Sequence, residues 1–162
     1  MENKFIEILP FIGLSNLEFG ITLEEVEKLL GPPDQSETLE ELEDENEDDF
    51  NTLMWHYEQP EFTLFFESDE DDAKILTCIE TSNTNSTLFG KKIFDMTEEE
   101  IIKLMNDNGF ENIEIEDETW GEKRISFTDA IIDFYFENNE LTSVSWGISE
   151  EDDDENDNYY NN

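Results

Sequence analysis

"LEFGITLEEVEKLLGPPD", residues 17–34, reads as a complete helix with its own start and stop. Thr22 and Glu25 stand at capping-box spacing: the hydroxyl accepts from the third-residue amide while the carboxylate reaches back to the cap's own N–H. Val26, Leu29 and Leu30 supply an apolar stripe at helical period. Gly31 can adopt a positive φ at the C-terminus, and Pro32 and Pro33 prevent continuation.

A second stretch, "KIFDMTEEEIIKLMNDNGF" at 92–110, follows the same plan. Thr97 and Glu100 form the cap, Ile101, Leu104 and Met105 the stripe, and Gly109 follows the stop. Each helix precedes a matching β series. "WHYEQPEFTLFFE" (55–67) parallels "WGEKRISFTDAIIDFYFE" (120–137), and "KILTCIE" (74–80) parallels "NELTSVSW" (139–146). Alternating, aromatic-rich runs of this length read as strands joined by hairpins. The expected architecture is therefore α+β: two tandem repeats, 17–80 and 88–147, each a helical segment packed on about three antiparallel strands. An N-terminal segment (1–16) and the polar linker "TSNTNST" (81–87) complete the chain, with an acidic tail (148–162) expected to be disordered.

The repeats differ at one place. The first carries "ETLEELEDENEDDF", residues 37–50, which has no basic residue and reads as a mobile loop inserted between helix and first strand.

The 162 residues hold 46 acidic side chains against 8 basic ones, a formal charge of −38. A charge this large costs stability through self-repulsion and opposes self-association, so the free chain is expected to be a monomer. The basic residues are scattered and form no phosphate-binding stripe, which argues against nucleic acid and anionic membranes as partners. The natural complement is a basic protein. The single Cys78 allows no internal disulfide, and the N-terminus lacks an apolar leader segment, so a cytoplasmic location is expected.

The series "FGITLEEVEKLLGPP", a Trp-containing strand, "FTLFFE" and "KILTCIE" resembles the repeat of the β-lactamase inhibitor protein and of the small outer-membrane-assembly lipoproteins. The resemblance spans most of 17–146 and implies helices on one face of an antiparallel sheet and a habit of binding proteins. The chain departs from that family in having no lipoprotein cysteine near its start. In composition it resembles the small acidic immunity proteins that neutralise bacterial toxins.

Little in the sequence reads as catalysis. Cys78 and His56 are the only residues of their types, and neither carries a local nucleophile signature. "DENEDD" and "EEDDDEND" lack the glycine and terminal glutamate of a calcium loop, and there is no glycine-rich phosphate loop or zinc-ligand cluster. The reading is a non-enzyme with no cofactor and no metal site.

Strand parity locates a binding surface instead. In "FTLFFE", Phe62, Leu64 and Phe66 share one face, and in "IIDFYFE" so do Ile132, Phe134 and Phe136. The opposite face then presents Phe65 and Tyr135 amid Glu67, Asp133 and Glu137. Aromatic anchors ringed by carboxylates suit a basic partner. The insertion adds Glu40, Glu41, Glu43, Asp44, Glu45, Glu47, Asp48 and Asp49 as steering charge. The expected function is an inhibitor or immunity protein that covers the active site of a basic toxin such as a nuclease. The alternatives are a nucleic-acid mimic that blocks a DNA- or RNA-binding protein, and a divalent-ion binder or unrecognised enzyme.

Overall fold

The computed structural model describes residues 6–39, 52–58, 61–68, 74–117 and 122–148. The acidic residues from Glu40 to Asp49 and the tail from 149 onward lie outside the described residues.

Both expected helices form, α1 (Leu23–Leu30) and α2 (Glu98–Asp107). In each, the capping box closes in both directions. Glu25 N donates to Thr22 Oγ1 at 3.3 Å and Thr22 N to Glu25 Oε1 at 3.0 Å, and the Thr97–Glu100 pair gives 3.2 and 3.0 Å. These bonds satisfy amides that the first helical turn leaves without partners. Gly31 ends α1 at φ +83°, its N–H donating to Glu27 O. Ile101, Leu104 and Met105 are all buried along α2. In α1 the expected stripe shifts at one position: Val26 is buried and Leu30 packs on the core as expected, but Leu29 is 46 % exposed and Leu23 packs on the core in its place. The reason is helical spacing. Positions 23, 26 and 30 line up over three and four residues, and Leu29 falls to the side of that line.

The strands, in chain order, are β1 (Glu7–Leu9), β2 (Gly13–Leu14), β3 (Leu17–Glu18), β4 (Gln35–Leu39), β5 (Thr52–Glu58), β6 (Glu61–Ser68), β7 (Lys74–Thr81), β8 (Thr87–Leu88), β9 (Lys91–Lys92), β10 (Ile113–Asp117), β11 (Glu122–Phe127), β12 (Ile132–Glu137) and β13 (Glu140–Gly147). Five short strands make a small sheet in the order β3-β2-β1-β8-β9, where β1 and β8 run parallel. The other eight form an antiparallel sheet in the order β10-β11-β12-β13-β7-β6-β5-β4. Asn138 and Asn139, at φ +56° and +71°, link β12 to β13. Two positive φ values match the type I′ hairpin turn that asparagine tolerates.

Each half thus contributes four strands to the large sheet rather than about three. The additional ones are β4 and β10, at its two edges. Residues Glu37, Thr38 and Leu39, expected in a mobile acidic loop, belong to β4 and pair with Met54, Leu53 and Thr52. "QSETL" carries no alternation to search for and "IEIED" alternates over only a few residues; each is held as an edge strand by backbone bonds on one side.

One face of the large sheet is the core. Tyr57, Phe62, Thr81, Val144, Phe134 and Ile125 align across neighbouring strands, and so do Trp55, Leu64, Ile79, Trp146, Ile132 and Phe127. Val26, Ile101 and Met105 from the helices and Ile8, Leu14, Leu17 and Leu88 from the small sheet join the same buried cluster. The second face of the large sheet is the one that parity assigned to Phe65 and Tyr135.

Candidate functional site

The open face is built from the alternate residues of eight strands, and register shows which of them are neighbours. One row runs Glu114, Ser126, Asp133, Ser145, Glu80, Thr63, His56 and Gln35, one residue from each strand. Every member is polar, and carboxylates occupy alternate strands over the first five positions. A second row holds Met54, Phe65, Cys78 and Gly147. A third holds Ser143, Tyr135, Arg124 and Glu116.

Phe65 and Tyr135 are both half-buried on this face, but they do not meet. They are three strand spacings apart, and their rows differ by four residues along β13. At about 4.8 Å per strand and 3.3 Å per residue the separation is about 20 Å. Glu67 is exposed and lines the same groove as Asp133, whereas Glu137 is exposed at the end of β12, aligned with Glu122 and Glu140. Two separate rings, not one central pair, therefore flank a polar middle.

Arg124 stands opposite Tyr135 in register, its charge opposing the rise in the phenol's pKa, and pairs with Glu116 at 2.6 Å. Burial first, then the charges of Asp133 and Glu80, push the phenol up to about 12. Glu80 stands between the rows of the two rings. Burial raises its carboxyl above the usual range and Glu122 adds to the effect, against the Ser143 hydroxyl and the nearby His56, which oppose it. The imidazole Nδ1 of His56 lies 2.8 Å from Thr63 Oγ1.

Cys78 sits on the open face rather than in the apolar interior. Its Sγ is 3.5 Å from Ser145 Oγ, and burial pushes the thiol up to about 11. His56 is two strands away in the next row, so the structure does not join thiol and imidazole as nucleophile and base. Among the described residues no group of three or more His, Cys, Asp or Glu is arranged to hold a metal ion. Among them also, no helix is long and apolar enough to cross a membrane.

Two hollows open on this face. A groove of about 530 Å³ is lined by Glu67, Thr77, Cys78, Glu114, Asp133 and Ser145 among others. A smaller hollow of about 290 Å³ lies beside His56, Thr63 and Glu80. Parity in "KILTCIE" already puts Cys78 and Glu80 on the open side. Their position at the middle of the face depends on β7 pairing with β13, where Ser145 meets Glu80 from 65 residues away, beyond any local pattern.

No protein-family model, curated protein or solved structure matches the chain.

Proposed function

We propose that the chain is a stoichiometric inhibitor of the immunity type, which lays the open face of its large sheet over the functional surface of a basic toxin domain. The observation that carries this reading is an eight-stranded sheet face bearing half-buried Phe65 and Tyr135 on either side of a carboxylate-rich row, in a chain of formal charge −38. The rings bury large area at low entropy cost, while the carboxylates speed encounter with a cationic partner and fix its register. Glu67, Asp133 and Glu137 act in that second role, with the acidic stretch from Glu40 to Asp49 as additional steering charge. Such an inhibitor would act in the cytoplasm as a monomer.

We also read the architecture as two copies of one unit, each a helical segment on an antiparallel sheet. In its support, each half runs through short antiparallel strands, three before α1 and two before α2, then a capped helix and a four-stranded meander, and β7 and β13, the last strands of the meanders, pair with one another.

The test is affinity capture at low ionic strength with the whole chain as bait, followed by binding kinetics against the captured protein. A basic partner whose on-rate falls as salt rises, and whose off-rate rises about tenfold in Phe65→Ala or Tyr135→Ala, is the expected result. Binding indifferent to salt and to both substitutions would place the contact elsewhere. Turnover of a substrate by the isolated chain would replace inhibition with catalysis.

A further inference from the structure

The large sheet has two edges, and they differ. β10 pairs with β11 on one side, and among the described residues no strand lies along its other side. Thr128 N donates to Asn112 O at 2.9 Å, one step before the first register pair, Ile113 with Phe127. In an antiparallel ladder, pairs that exchange backbone bonds alternate with pairs that do not. Glu114 and Glu116 therefore bond to β11, and the N–H and C=O groups of Ile113, Ile115 and Asp117 point out of the sheet. The five-residue ladder runs without a bulge, and β10 carries neither proline nor lysine, so the usual devices that block an edge are missing from it.

The side chains of β10 continue both faces of the sheet. Ile113 and Ile115 extend the two core rows past Phe127 and Ile125. Ile113 packs on the core, but Ile115 is 53 % exposed, because no described strand covers its outer flank. Glu114 and Glu116 lie on the open face and are exposed, as is Asp117 beyond the isoleucines. The cations of β11 are already engaged, Arg124 by Glu116 and Lys123 by Glu98, and Glu114 has no ion-pair partner among the described residues. An antiparallel second copy centred on Ile115 would set Glu114 against Glu116 in a chain of formal charge −38, which is unfavourable. At the other edge, β4 presents Gln35, Ser36, Glu37 and Thr38, which include one carboxylate and no apolar side chain.

We propose that β10 accepts an extended segment of the basic partner as an added antiparallel strand, with an apolar residue opposite Ile115 and basic residues opposite Glu114 and Glu116. The proposal rests on the reading of the chain as a binder of a basic protein, and it adds the sheet edge to the open face as a contact. Backbone bonds to Ile113, Ile115 and Asp117 supply attachment, the apolar residue covers Ile115, and the flanking charges set the register. The alternation of basic and apolar residues follows from parity. Neighbours along a strand point to opposite faces, and Glu114 and Glu116 stand on one face of β10 while the isoleucines stand on the other. Antiparallel addition continues the pattern of the sheet.

A short capped peptide of alternating lysine and valine probes the edge without the partner. It is titrated into the labelled whole chain, and amide hydrogen exchange is followed by NMR. In the free chain the N–H groups of Ile113, Ile115 and Asp117 should exchange faster than those of Glu114 and Glu116. Saturating peptide should slow the first set by about tenfold or more and leave the second unchanged. Methylating the backbone nitrogens of the valines removes the donors that face β10 at constant charge, and should weaken binding by about tenfold or more. Methylating those of the lysines, which face away, should change it by less than about threefold. Ile115→Pro deletes an outward N–H that the ladder with β11 does not use, and should abolish the response of Ile113 and Asp117 while Glu114 and Glu116 stay protected. Glu114→Gln alters no backbone group and should weaken binding about threefold, whereas Glu24→Gln on α1, with the same change in charge, should leave it within about twofold. Equal effects of the two methylated peptides, or of Glu24→Gln and Glu114→Gln, would overturn the assignment, since attraction by charge alone would then explain the binding. Protection of Ile115 that grows with the concentration of the free chain would overturn it in favour of a second copy. These outcomes are separable from the function itself. A captured basic partner that leaves the Ile113 and Ile115 amides unprotected would sink the edge contact alone, and an edge that takes the peptide in a chain that captures no basic protein would sink the inhibitor reading alone.

Discussion

The indole Nε1 of Trp146 donates to the carbonyl of Gly13 at 3.0 Å, tying the last strand of the large sheet to the first hairpin across 133 residues. Trp146 is 1 % exposed, so the bond forms away from water. Trp146→Phe keeps most of the apolar packing and removes the donor, which should cost about 1–3 kcal/mol in urea denaturation. Gly13 has φ +150°, and a Cβ there would lie 1.8 Å from the Leu17 carbonyl oxygen. Gly13→Ala should therefore be worse than Trp146→Phe, because it opens the hairpin that offers the carbonyl.

The two capping boxes should contribute similarly. Thr22→Ala and Thr97→Ala each leave helix amides without their side-chain acceptor and should each lose about 1 kcal/mol by thermal or chemical denaturation. Serine at either position should recover most of the loss. Full stability in Thr97→Ala would show that α2 is held by its buried face alone.

Cys78 should react slowly with thiol reagents. Raising its thiol from 9.0 to about 11 lowers the thiolate fraction at pH 8 by about a hundredfold relative to an ordinary cysteine. Alkylation of the native chain should accelerate as pH approaches 11, while urea-unfolded chain reacts at the ordinary rate. A native rate at pH 8 equal to the unfolded one would mean the thiol is free of this burial.

Glu80 gives a pH dependence with a definite sign. Its carboxyl is raised in the folded state, chiefly by burial, so folding favours the protonated form. The stability this group supplies is present below the unfolded carboxylate range and is lost as pH rises through the folded value. Glu80→Gln should be more stable than the original chain at pH 7 and lose that advantage on acidification. An equal difference at pH 7 and pH 4 would contradict the assignment.

With a formal charge of −38, self-repulsion should be visible in the folding equilibrium. Raising sodium chloride from about 10 mM to 1 M shortens the screening length from about 30 to 3 Å, and the urea midpoint should rise over that range. A flat midpoint would show that the unfolded chain is repelled as strongly as the folded one.

The helices were legible because their signals are local. A Thr-x-x-Glu box, a stripe at helical period and a glycine stop all act within one or two turns, and α1 and α2 form where those signals lie. Face assignment was legible for the same reason: Phe62, Leu64 and Phe66 and their counterparts Ile132, Phe134 and Phe136 are buried, and Phe65 and Tyr135 are not. The edge strands β4 and β10 were missed. β4 is polar without alternation and β10 alternates over only a few residues, and backbone pairing with β5 and β11 makes them strands.

By itself, then, the sequence determined the acidic character, the two capped helices and the side of each central strand that faces the core, since charge count, hydrogen-bond spacing and strand parity need no knowledge of distant contacts. Tertiary structure alone decided which strands are neighbours. Pairing of β13 with β7 places Glu80 beside Ser145, two strands from Asp133, and separates Phe65 from Tyr135. Long-range register has no local sequence signal because the backbone bonds that set it are the same for every residue, and only the packing of the whole core selects among the possible pairings.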